Sequence, residues 1–177
     1  GRGSLGNILT KNPVKQIIKK EQGISTLGAR DIWFDESVKR LSADERGTYL
    51  GAFQGDDRIL TIHSQGVYKL YNYDLSTHFD EDMLIILKYD PRIIVTAIYY
   101  DGNTETNYVK RFNIEPSDKA VNFLNDHKDS RLVLISTDYL PQISVTFQDK
   151  NGKKRPDEVI NADDFIGVKS FMAKGRK

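Results

Sequence analysis

Arg58-Ile59-Leu60-Thr61-Ile62, a polar Gln65-Gly66, then Val67-Tyr68-Lys69-Leu70-Tyr71: this stretch decides the fold. The first run is aliphatic and β-branched and is bounded by polar residues, as a buried strand is. The second alternates large and polar side chains, so the two together read as a hairpin. The same grammar returns twice. Arg92-Ile93-Ile94-Val95 leads through Asp101-Gly102-Asn103 to Asn107-Tyr108-Val109-Lys110-Arg111-Phe112. Arg131-Leu132-Val133-Leu134 leads through Leu140-Pro141 to Ile143-Ser144-Val145-Thr146-Phe147. Gly6-Asn7-Ile8-Leu9-Thr10 reads as a fourth, degenerate copy. The arginine starts lie 34 and 39 residues apart, and Ile8 precedes Ile59 by 51. Periods of this size in an all-β chain point to propeller-like blades, each of which buries its faces against its neighbours.

Outward from these hairpins the pattern stays strand-like. No stretch keeps a 3.6-residue apolar stripe over three turns. Residues 116–127 are the best helical candidate, although Val121 and Phe123 alternate as strand residues do. The acidic stretches 35–57 and 74–90 read as solvated connectors. No linker or low-complexity tract divides the chain, so residues 1–177 read as a single domain. The start at Gly1 suggests a piece of a longer protein. No apolar run approaches the ~20 residues of a membrane-spanning helix. Cysteine is absent, which excludes disulfides and thiolate metal sites and fits a cytoplasmic setting.

The net charge of +1 conceals segregation. Residues 1–20 carry +5, residues 168–177 carry +4, and residues 21–167 carry 17 bases against 25 acids, or −8. Such a distribution suits a polyanion that touches one side of the molecule. In a closed ring the first and last strands meet, and the two basic ends would merge. Lys11, Lys15, Lys19, Lys20, Lys169 and Lys174 are therefore candidate phosphate contacts. Lys150, Lys153, Lys154 and Arg155 surround the turn signal Asn151-Gly152 and form a second candidate group. Lys110 and Arg111 share a strand, where one of two adjacent side chains is expected to face outward. Arg58, Arg92 and Arg131 are expected to pair with the nearby Asp57, Asp90 and Asp129.

Catalytic constellations are missing from the pattern. His63, His78 and His127 have no ligand partners at metal spacing. Asp80, Glu81 and Asp82 form a candidate Mg²⁺ cluster whose simpler reading is a solvated loop. No phosphate-binding loop of the G-x-x-x-x-G-K-[ST] kind is present. Tyr68, Tyr71, Tyr73, Tyr99 and Tyr108 read as packing residues, and Trp33 as an anchor between blades.

Three segments carry a family resemblance: Gly3-Ser4-Leu5-Gly6-Asn7-Ile8-Leu9-Thr10-Lys11-Asn12-Pro13-Val14, Ser25-Thr26-Leu27-Gly28-Ala29-Arg30-Asp31-Ile32-Trp33-Phe34-Asp35, and Asp44-Glu45-Arg46-Gly47-Thr48-Tyr49-Leu50-Gly51. With the ending Phe165-Ile166-Gly167-Val168-Lys169, they resemble the C-terminal region of topoisomerase IV or gyrase A subunits of the Bacteroidetes type. The resemblance implies a β-pinwheel, a propeller-like ring of four-stranded blades that exchange strands. It implies a basic rim that binds and bends duplex DNA, guiding the transport segment during ATP-dependent strand passage. It further implies no catalytic residue and no cofactor in this chain, with the catalytic tyrosine, ATP and Mg²⁺ elsewhere in a holoenzyme. The implied partners are duplex DNA, the rest of the A subunit and the ATPase B subunit of an A2B2 assembly. The isolated domain is expected to be a monomer from a bacterial, nucleoid-associated enzyme. Gyrase-type domains also carry a glycine box led by glutamine and arginine. No full copy stands here; Arg2-Gly3 and residues 23–28 are fragments at most, which favours topoisomerase IV over gyrase. A rival function from another class is a propeller-like protein-interaction module that uses the acidic face.

Overall fold

The computed structural model describes Pro13, residues 28–149 and residues 151–177. These form twelve strands and one short helix. β1 (Arg30–Asp35), β2 (Arg40–Ser42) and β3 (Thr48–Phe53) make a first sheet in the order β2-β1-β3. β4 (Ile59–His63), β5 (Val67–Tyr71), β6 (Met83–Lys88) and β9 (Val121–Asn122) make a second, in the order β6-β4-β5-β9. β7 (Ile94–Asp101), β8 (Thr106–Asn113) and β10 (Arg131–Ser136) make a third, in the order β10-β7-β8. β11 (Gln142–Val145) and β12 (Glu158–Asn161) pair alone and run into α1 (Ala162–Phe165). Every strand pairing is antiparallel. The sheets are not closed on themselves.

The opening hairpin stands as read. Ile59 to His63 pair with Tyr71 to Val67. All five residues of β4 are buried, because the second sheet has a neighbour on each face. Leu60, Ile62 and Tyr68 join Val95, Ala97, Phe112 and Phe123 in one apolar cluster. Ile59 joins Ile32, Phe34, Phe53 and Phe79 in the other. A strand covered on both faces reads as a continuous apolar run instead of an alternating one.

Each of the first three sheets is completed by a segment handed back from later in the chain. His78 bridges Arg40 on the outer edge of β2, and the Phe79 amide donates to the Lys39 carbonyl. β9, which follows β8, crosses back to pair with β5. Lys169 and Arg176 bridge Phe112 and Val109 on the outer edge of β8. An aromatic plug accompanies each crossing. Phe79 meets Phe34 and Tyr71 at 5.7 and 5.0 Å, and Phe123 meets Phe112 at 5.2 Å. Phe171 meets Tyr68 edge-on at 6.1 Å. Full burial of a Phe side chain contributes about 1.5–3 kcal/mol, so the crossings are tied by burial more than by their few backbone bonds.

Several sequence expectations are corrected. The third hairpin does not form: β10 pairs with β7, and β11 pairs with β12. The acidic stretches are not mere connectors, since they hold β2, β3 and β6, whose Leu41, Leu50, Phe53, Met83 and Ile86 join or pack against the second cluster. Residues 116–127 contain only β9. Arg92 does pair with Asp90, at 2.7 Å, but Arg58 pairs with Asp118 and Arg131 lies over the Tyr100 ring. Asp57 instead takes Lys88. Tyr68 and Tyr99 are core residues, and Trp33 is half-buried against Tyr49 at 5.2 Å. The degenerate copy at Gly6 to Thr10 lies outside the described residues. Among those residues, no helix is long and apolar enough to cross a membrane.

Candidate nucleic-acid interface

The central basic pair, Lys110-Arg111, is not on the surface. Both residues are only 4% exposed. Adjacent strand residues face opposite ways, but the third sheet is covered on both faces, so neither orientation reaches solvent. Lys110 faces the second sheet. Its ammonium donates to the carbonyls of Phe123, Phe171 and Ala173 and lies 5.1 Å from the Tyr99 ring centre. Burial pushes its pKa down to about 8. Arg111 faces the last hairpin and donates to the carbonyls of Ile166 and Tyr139. Each base ties one neighbouring segment to β8. The expectation that one of the pair faces outward is corrected: both are enclosed between neighbouring segments, and the Arg111 Nε is buried without a partner among the described residues.

Lys174 occupies an intermediate position. Its ammonium meets Asp101 at 3.0 Å, and its carbonyl accepts from the Tyr99 hydroxyl at 2.7 Å. Burial acts to raise the Asp101 carboxyl pKa, but Lys174, the Asn103 amide and Asn125 outweigh it and hold the group at about 2. Val109 and Arg176 exchange two backbone bonds of 2.8 Å beside this pair. Gly175 makes that approach possible: its φ is +93°, and a Cβ there would lie 2.2 Å from the Val109 oxygen. Lys174 therefore fastens the C-terminal segment while its side chain remains half exposed.

The remaining candidates among the described residues lie at the surface. Asn151-Gly152 is the turn its sequence announced, with φ of 54° and 71°. Two successive positive φ angles are what Asn-Gly supplies at low cost in a tight hairpin turn. Lys153, Lys154 and Arg155 are exposed beside it. Arg155 lies 4.0 Å from the Phe147 ring centre and pairs with Glu158 at 2.7 Å. Lys153, Lys154, Lys169 and Lys177 have no acidic partner among the described residues. Lys11, Lys15, Lys19, Lys20 and Lys150 lie outside the described residues. Over residues 28–149 there are 13 bases against 20 acids, while residues 151–177 hold seven bases against four acids. The segregation read from the sequence thus persists within the described chain.

One juxtaposition was not legible from spacing. His63 lies with Asp80 and Asp82, their potential ligand atoms within 4.8 Å of one another. Its ring nitrogens meet Thr61 Oγ1 and Asp82, each at 2.9 Å, and Asp80 meets Lys69 at 2.6 Å. These contacts join β4 and β5 to the loop before β6. Glu81 stands apart from this group, 3.9 Å from Lys39. The link between His63 and Asp82 spans 19 positions, so only the fold brings them together.

The fold and the charge distribution define an all-β array of small antiparallel sheets whose C-terminal part, residues 151–177, has more bases than acids. Residues 40–177 match the family of topoisomerase C-terminal domains of Bacteroidota. The match covers most of the chain, and the chain belongs to that family. No curated protein and no solved structure matches it.

Proposed function

We propose that this chain is the DNA-binding and DNA-bending C-terminal domain of a type IIA topoisomerase A subunit, folded over residues 1–177 as a single β-pinwheel. It guides the transport segment during ATP-dependent strand passage and contributes no catalytic group. ATP and Mg²⁺ act elsewhere in an A2B2 holoenzyme, in the bacterial cytoplasm at the nucleoid, and the isolated domain is a monomer. The family supports the topoisomerase setting. The handing back of His78-Phe79, β9 and the C-terminal segment to preceding sheets supports a pinwheel. The observation that carries DNA binding is the basic balance of residues 151–177, seven bases against four acids, with Lys153, Lys154, Lys169 and Lys177 exposed and without an acidic partner among the described residues. The incomplete glycine box favours topoisomerase IV over gyrase.

The chemistry is nonspecific. Lysine and arginine contacts to phosphate release condensed counterions and position the duplex without reading it. Bending 20–30 bp by 40–90° costs roughly 1–6 kcal/mol, which several such contacts offset. The test is a gel shift of the full chain with a 30-bp duplex across a salt series. Binding that weakens steeply with salt is the expected result. No binding at low salt would sink the proposal and favour a protein-interaction module using the acidic surface of residues 28–149.

A further inference from the structure

The four hairpins built on consecutive strands differ at their tips. The β1–β2 connection is residues 36–39, the β4–β5 connection is residues 64–66, the β7–β8 connection is residues 102–105, and the β11–β12 connection is residues 146–157. The first three are three or four residues long; the last is twelve. It is also the basic one, with Lys150, Lys153, Lys154 and Arg155 against Asp149 and Asp157. A long tip has no packing reason here: Lys153, Lys154 and Arg155 are exposed, and the helix α1 begins at the opposite end of the hairpin.

We infer that residues 146–157 are a finger that enters the major groove of duplex DNA, an inference that rests on the DNA-binding reading above. Length and width both fit. Half of a twelve-residue connection reaches at most ~20 Å at ~3.3 Å per residue. The major groove is ~8.5 Å deep and ~12 Å wide and admits a two-stranded ribbon. A connection of three or four residues cannot reach its floor, and a sheet of three strands at ~4.8 Å spacing is too broad once side chains are added. The Asn151-Gly152 turn keeps the end narrow, since both residues take the positive φ of a tight hairpin turn.

The side chains suit the same use. Lys153 and Lys154 project next to the turn and reach guanine N7 and O6, the acceptors that line the groove. Arg155 is held in advance by Phe147 and Glu158, so little conformational freedom is lost when its exposed edge meets a flanking phosphate. The finger thereby adds a groove contact to a surface that otherwise meets only phosphate.

The experiment uses the full chain and a 30-bp duplex containing several guanines. Binding is read by fluorescence anisotropy across a salt series, and groove occupancy by protection of guanine N7 from dimethyl sulfate. The wild-type chain is expected to protect guanines within its site. Lys153→Ala/Lys154→Ala is expected to abolish that protection, weaken binding about tenfold and lower the salt slope by about 2. Lys153→Gln/Lys154→Gln is expected to do the same, and unchanged circular dichroism shows that neither variant misfolds. Binding without guanine protection would overturn the finger and leave the DNA-binding domain standing. Protection that persists in both double variants would likewise overturn it. Absence of wild-type binding would overturn the broader function first.

Discussion

Two sets of neighbouring bases on two hairpins have opposite fates. Lys110-Arg111 lies in mid-strand, is 4% exposed at each residue, and donates to carbonyls from neighbouring segments. Lys153-Lys154-Arg155 lies beside a turn and keeps its charge in solvent. In the first case the cations are structural cross-links; in the second they are surface charge. The difference comes from cover, since the third sheet has packed neighbours on both faces and the β11–β12 tip has none.

This comparison can be broken most decisively at Arg111. Arg111→Ala leaves the carbonyls of Tyr139 and Ile166 without their donors and is expected to cost about 3 kcal/mol, read as a lower urea midpoint with DNA affinity of the folded fraction unchanged. An unmoved midpoint would mean that the buried pair is not a cross-link. Gly175→Ala tests the same fastening from the other strand. The new Cβ collides with the Val109 carbonyl, and a loss of about 1–3 kcal/mol is expected from the displaced segment and its strained backbone. At the tip the order reverses. Lys153→Ala/Lys154→Ala is expected to change stability by less than about 0.5 kcal/mol; a larger fall in the thermal midpoint would show a structural role there too.

Acid sharpens the comparison through the fastening at Asp101. Its folded pKa, about 2, lies below the ~3.9 of an unfolded aspartate. The contribution is therefore complete above pH ~4 and is lost as pH falls through about 2. Urea midpoints measured over this range are expected to fall more for the wild-type chain than for Asp101→Asn, which lacks the contribution throughout. Equal slopes would show that Lys174 does not hold the C-terminal segment through this carboxylate.

The strands of the Arg58 and Arg92 hairpins were legible because apolar runs and turn residues are local signals. The third hairpin was misread for the same reason. Residues 131–136 and 142–145 look like partners in sequence, yet each finds a better-placed edge elsewhere. The burial of Lys110 and Arg111 had no local signal, because a strand residue's exposure depends on what covers the sheet. Nor did the meeting of His63 with Asp82, whose residues come from different strands and loops. The Asn151-Gly152 turn was readable in full, since the φ angles it needs are a property of those two residues.

By itself, the sequence determined the all-β class, the two regular hairpins, the segregation of charge and the basic turn. Those follow from side-chain shape, alternation and turn chemistry, which act over a few residues. Only the tertiary structure decided which strands exchange between sheets and which bases remain available. Both depend on burial against distant segments, where a cation with carbonyl partners can be enclosed and the same cation at an uncovered turn stays in water.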